Sequence, residues 1–156
     1  MGGVISAPAV EIRAPASAVF ALLLDLASYP AWEMPFTVRM DVADLPLAVG
    51  TAITEHVVLD PSRPASIRLQ RVVVTELDPS ARRLCWESIM GARWLLHAAR
   101  VQEVRALPGG GCVYETSDTM HGALAPLVLC LYGGAVAAGF AAQGRALKAE
   151  AERAAR

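Results

Sequence analysis

Glu55, His97, Tyr114 and Asp118 are the side chains whose setting in this sequence could move a proton away from bulk water. Glu55 stands between Ile53 and Val57 in a run, Thr51 to Leu59, whose alternation fits a strand. On the apolar face of such a strand a carboxylate loses hydration, its pKa rises, and it becomes a general acid or base near neutral pH. A slip of one residue would put His56 there instead. His97 lies in Arg93-Trp94-Leu95-Leu96-His97-Ala98-Ala99, where it either shuttles protons or is hydrogen-bonded within a sheet. Both parities of that run mix apolar and charged residues, so the direction of His97 stays open. Tyr114 and Asp118 share a parity with Met120, which makes them markers of ligand orientation or cross-strand partners of Arg71 or Arg100. Trp86, Met90, Trp94, Tyr132 and Phe140 are apolar bulk, fit for a packed core or for the walls of a site.

Other chemistries leave no trace. The chain has no HExxH, paired CxxC, Walker loop, dinucleotide glycine motif or Gly-x-Ser-x-Gly elbow; Gly109-Gly110-Gly111 joins two strand candidates and opens no helix. No metal and no cofactor are therefore expected. The 14 Lys and Arg balance 15 Asp and Glu and form no basic block, which argues against nucleic acid as a partner. With 54% hydrophobic residues the chain is not disordered, and 156 residues suit one domain, 1–156. Cys85, Cys112 and Cys130 are odd in number and widely spaced; three buried thiols in a reducing, cytoplasmic setting are expected. Gly2 with Ser6 fits the loose myristoylation pattern, against the plainer reading of a strand entry.

The elements that must position these groups follow from periodicity and turn chemistry. Val4 to Arg13 reads as a strand stopped by Pro15, and Val19, Phe20, Leu22, Leu23 and Leu26 define a buried helix ending near Ser28-Tyr29-Pro30. Strands are predicted over 38–42, 51–59, 66–77, 83–90, 93–107 and 112–120, separated by short Pro, Gly and Asp turns that imply an antiparallel meander. In the last but two of these, Leu84, Trp86, Ser88 and Met90 face inward; in the last, Cys112, Tyr114, Thr116, Asp118 and Met120 do. Rows that mix large apolar with small polar groups fit a ligand cavity better than a plain core.

A helix over 125–155 closes the chain. Its first part belongs to a stretch, Thr119 to Gln143, without Asp, Glu, Lys or Arg. Length permits a membrane span, but Pro126, the glycines and the charged continuation through Lys148 and Arg153 favour a soluble helix buried under the sheet over a C-terminal anchor. Gly133, Gly134, Gly139 and Gly144 each cost about 1 kcal/mol relative to alanine. Close approach to the sheet or a kink beside a cavity mouth would account for them.

The order of Glu11-Ile12-Arg13-Ala14-Pro15, Val19-Phe20, Asp25, Tyr29-Pro30, Trp32, Val49-Gly50, Leu84-Cys85-Trp86, Gly109-Gly110-Gly111 and Gly122-Ala123-Leu124-Ala125-Pro126-Leu127, before Leu147-Lys148 and Glu152, resembles the START-like (SRPBCC) superfamily. Within it, the chain is most similar to the polyketide cyclase/dehydrase and lipid-transport group. The resemblance implies an α+β helix-grip fold, a seven-stranded antiparallel sheet curved around a long C-terminal helix, with two short helices between strands 1 and 2. It also implies a hydrophobic cavity near Trp32, Trp86, Met120 and the Leu124 turn, and it supplies no universal catalytic residue. Family members often follow the tryptophan with Asn-Pro, where this chain has Glu33-Met34-Pro35-Phe36.

Two functions follow as expectations. The first is binding of a lipophilic small molecule, a lipid, polyketide-like or aromatic compound, for transport, storage or sensing. The second is cofactor-independent cyclisation or dehydration by a cavity acid or base such as Glu55 or His97. A third reading, a collapsed cavity and a partner surface, would leave only the fold. The oligomeric state and the ligand's identity are not encoded legibly.

Overall fold

The computed structural model describes residues 2–32 and 36–156, so the Glu33-Met34-Pro35 departure lies outside the described residues. Strand β1 (Gly2–Ser6) and strand β2 (Val10–Ile12) both pair antiparallel with β8 (Cys112–His121). They are one predicted strand broken at Ala7-Pro8-Ala9, because Pro8 has no N–H to give to the ladder. Helix α1 (Ala16–Leu24) and a 3₁₀ turn, Leu26–Trp32, follow. Pro15 stands at the entry of α1, and Asp25 leaves helical geometry at its end. The 3₁₀ segment carries Pro30 inside it, so the chain coils on past the expected break.

Strands β3 (Thr37–Val42), β4 (Ala52–Val58), β5 (Ile67–Asp78), β6 (Arg83–Ile89), β7 (His97–Ala106) and β8 then form an antiparallel meander, ordered β1-β8-β7-β6-β5-β4-β3. This is the expected α+β helix-grip architecture, with its first strand in two pieces. The inward rows are those the alternation predicts: Leu84, Trp86 and Ser88 are buried, as are Cys112, Tyr114, Thr116, Asp118 and Met120. The strand predicted from Arg93 begins only at His97. Before it, the N–H groups of Leu95 and Leu96 bond the carbonyl of Ala92, so this backbone turns and Trp94 is 72% exposed, not core bulk.

Helix α2 (Ala125–Ala154) has two unlike halves. Phe140, Gln143, Leu147 and Ala151 of its second half are buried. Burying a leucine such as Leu147 contributes roughly 1.5–3 kcal/mol. Lys148 Nζ donates to the Glu11 carbonyl at 2.6 Å, and Glu152 accepts the Arg13 N–H at 2.9 Å, clamping the helix to β2. The first half departs from the expectation of a helix buried under the sheet: Leu127 and Leu131 are exposed. Cys130 is exposed with them, so only Cys85 and Cys112 are buried thiols. One face of this half still packs, with Ala125 buried and Val128, Leu129 and Val136 set against the buried cluster that includes Ile5 and Phe140, while its opposite face is left uncovered.

The glycines divide along the same line. A Cβ on Gly139 would run into the Phe36 ring, and one on Gly144 would come within 2.9 Å of Val10. Gly133 and Gly134 face open space. Gly133→Ala should therefore raise the melting temperature by 2–4 °C, about 1 kcal/mol of helix propensity, whereas Gly139→Ala should lower it. Thermal unfolding followed by circular dichroism checks both; a fall for both variants would show that Gly133 is packed after all.

Candidate functional site

A cavity of about 350 Å³ lies between the concave sheet and the middle of α2. Its walls are mainly apolar: Phe36, Val57, Leu96, Ala98, Met120 and Phe140 belong to one buried cluster. Its floor meets the second cluster through Val72 and Trp86. Into this apolar space project Glu55 from β4, Arg100 from β7 and Asp118 from β8, all buried.

Pairing register explains how they meet. Arg100 faces Trp86 across the β6–β7 ladder and Asp118 across β7–β8, so the three side chains form one row on the concave face. Arg100 donates from Nε to the Thr116 hydroxyl at 3.1 Å and from Nη2 to Gln143 Oε1 on α2 at 2.8 Å. Its guanidinium carbon lies 4.1 Å from the centroid of Phe140 and 5.8 Å from that of Trp86. These contacts hold the cation across the gap between sheet and helix.

The carboxyls feel that charge without capturing it. Burial pushes the Glu55 carboxyl up to about 7, against the opposing pull of Arg100 and with a further push from Asp118. Asp118 is raised by burial too, with Arg100 and His97 pulling the other way. Asp118 Oδ1 is buried with no hydrogen-bond partner among the described residues. Glu55, pushed up to about 7, can give or take a proton near neutral pH, and Asp118 beside the same guanidinium is shifted in the same direction, the arrangement an acid–base pair needs.

The residues singled out from sequence separate into two groups. Glu55, Trp86, Met90, Asp118, Met120 and Tyr132 line the cavity. Trp32, His97, Tyr114 and Leu124 do not. Trp32 packs on Tyr29 at 4.6 Å in the other cluster, and Tyr114 gives its hydroxyl proton to Gln102 Oε1 at 2.7 Å beneath the floor. Leu124 caps the start of α2 on the outside. His97 points away from the cavity, because Ala98 and Arg100 occupy the concave parity of β7; it lies 3.4 Å from Glu87 and stacks on His121. His56 is likewise turned outward, 2.8 Å from Asp41.

Arg100 and Gln143 are the site residues that sequence reasoning undervalued. Arg100 entered only as a cross-strand partner, since charged residues on both faces of its strand hid the parity. Gln143 has a visible signal: it is the polar side chain ending the uncharged stretch, two residues before Arg145 brings charge into the helix.

The sequence profile of the polyketide cyclase / dehydrase and lipid transport family matches residues 7–153. The chain belongs to this family. Among solved structures, an aromatase/cyclase, ZhuI of Streptomyces sp. R1128, superposes with a TM-score of 0.81 at 16% identity, covering 100% of this chain and 97% of that one. Norcoclaurine synthase of Thalictrum flavum, a point mutant with a transition-state analogue, does so with a TM-score of 0.74 at 14% identity, over 100% of this chain and 98% of that one. At such identities these likenesses establish the fold. A curated relative, the oxopyrrolidines biosynthesis cluster protein O of Penicillium oxalicum, is 32% identical over 115 residues, 60% of this chain; the match spans only 55% of that protein.

For a member of this family with a buried acid, stability should report the burial. The folded pKa of Glu55, about 7, lies above its ordinary 4.5. Folding stability from this group is therefore complete below pH 4.5 and lost as pH rises through 7. Glu55→Gln removes that loss, so its melting temperature relative to the parent should rise between about pH 4.5 and about pH 8. A difference independent of pH would mean that Glu55 titrates as an exposed carboxyl.

Proposed function

We propose that this protein is a cofactor-independent cyclase or dehydratase acting on a polyketide-like or aromatic carbonyl compound held between sheet and helix. The observation that carries the reading is the pair of buried carboxyls, Glu55 and Asp118, beside the single guanidinium of Arg100 in an otherwise apolar cavity. A purely carrying pocket has no need of two groups that each resist ionisation. The volume, about 350 Å³, suits a compact small molecule.

The chemistry balances within these residues. Asp118, as carboxylate, takes a proton from a carbon flanked by carbonyls, and Arg100 stabilises the enolate oxygen that results. That carbon attacks a second carbonyl of the same chain, forming a C–C bond, while Glu55, whose burial pushes its carboxyl up to about 7, gives its proton to the new alkoxide. In dehydration the roles reverse: Glu55 removes the next proton from carbon, and Asp118 returns its proton to the departing hydroxyl, which leaves as water. Both carboxyls regain their starting states. The apolar walls fold the chain and exclude water.

Carriage of a lipophilic compound without turnover is the second reading, favoured by the apolar lining of Val57, Leu96, Ala98, Met120 and Val136. Turnover of a panel of poly-β-carbonyl and aromatic carbonyl compounds separates the two. Glu55→Gln and Asp118→Asn should each lower kcat by about 10²–10⁴-fold, with ligand affinity changed only a few-fold. Ligand bound and released unchanged, with the variants altering affinity alone, would identify a carrier.

A further inference from the structure

The cavity holds one polar pair that the chemistry above leaves unused. Ser88 on β6 and Gln70 on β5 both line it, and Ser88 is only 3% exposed. Gln70 Nε2 donates to the Ser88 hydroxyl at 2.9 Å. That bond occupies a lone pair of the hydroxyl and leaves its proton free, since Ser88 donates to no acceptor among the described residues. With the amide turned the other way, the serine gives its proton to Gln70 and the amide N–H groups are free instead. Either arrangement keeps a donor to spare in a mainly apolar wall.

A structural role explains the bond but not the spare donor. The β5–β6 backbone pairing stops at Val73 and Glu87, and the Gln70–Ser88 contact ties the two strands beyond that point. Glu55 stands directly opposite Gln70 across β4–β5, yet no hydrogen bond joins them among the described residues. A buried donor left without an acceptor is destabilising, and an oxygen of a guest relieves it.

Strand register says where that oxygen lies. Ser88 pairs with Ala98 and Trp86 with Arg100, so Ser88 and Arg100 are diagonal neighbours on the concave face, about 7–8 Å apart. Arg100 commits Nε to Thr116 and one N–H of Nη2 to Gln143, which leaves further N–H groups of its fork for a ligand. Two donor points on one wall, with the Trp86 ring and Ala98 between them, suit a compound whose oxygens sit on separate carbons. A lipid with a single polar end would satisfy only one.

We infer that the Gln70–Ser88 pair is a second oxygen-binding point of the cavity, so that the substrate of the cyclase or dehydratase is a compound oxygenated at two separated carbons, one oxygen at Arg100 and the other at Ser88. The inference rests on the function proposed above. Its probes are benzoylacetone methylated twice at the carbon between its carbonyls, which can be neither enolised nor turned over, and the matching monoketone with a methylene in place of the second carbonyl. By isothermal titration calorimetry the parent should bind the diketone about tenfold more tightly than the monoketone. Gln70→Leu/Ser88→Ala should lower diketone affinity about tenfold and change monoketone affinity less than about twofold, whereas Ser88→Thr, which keeps the hydroxyl, should retain the preference. Unchanged circular dichroism verifies folding of each variant. A parent indifferent to the second carbonyl, or a double variant that loses both probes equally, would overturn the inference and leave the proposed reaction standing; a parent that binds neither probe would overturn both.

Discussion

A guanidinium taken out of water costs several kcal/mol unless its donors and its charge are answered nearby, and Arg100 is 5% exposed. Here the answers come from both layers of the fold: Thr116 from the sheet, Gln143 and the Phe140 face from α2. The arginine thus bridges sheet and helix at the level where they would otherwise have to interdigitate. Glu55 and Asp118 act on it through charge alone, without closing to a hydrogen bond. The space among the three groups is part of the cavity, and burial there raises both carboxyls, with Arg100 offsetting the rise only in part.

The helix registers this compromise along its length. Its second half is committed to packing, with Leu147 and Gln143 fully buried and Gly144 allowing Val10 to approach. Its first half, free of charged residues, packs along one face only: Val128, Leu129 and Val136 meet the buried cluster while Leu127 and Leu131 are exposed. By length and composition the helix could cross a membrane, yet within the fold it serves as core in one half and as a half-covered wall of the cavity in the other.

That is also why some of the molecule was legible from sequence and some was not. Alternation in β6 and β8 places Trp86, Asp118 and Met120 correctly, since one face of each strand is plainly apolar. The placement of Glu55 between Ile53 and Val57 works for the same reason. In β7 both faces carry charge, so the inward arginine and outward histidine could not be told apart; the structure assigns Arg100 to the cavity and His97 to Glu87. The turn ahead of β7 reads as strand because Trp94, Leu95 and Leu96 are apolar, although their backbone bonds locally. The extent of α2 burial is not legible in the sequence, because periodicity reports the existence of an apolar face and not the extent of the surface that covers it.

The central claim is that Glu55 and Asp118 hold a proton between them beside Arg100 at neutral pH. Side-chain carboxyl ¹³C shifts of glutamate- and aspartate-labelled protein, followed against pH, test it most directly. The account predicts a Glu55 midpoint near 7 and an Asp118 midpoint above its ordinary 3.8, each altered by substitution of the other. Independent titration of both groups in the ordinary carboxylate range, about 4, would contradict it.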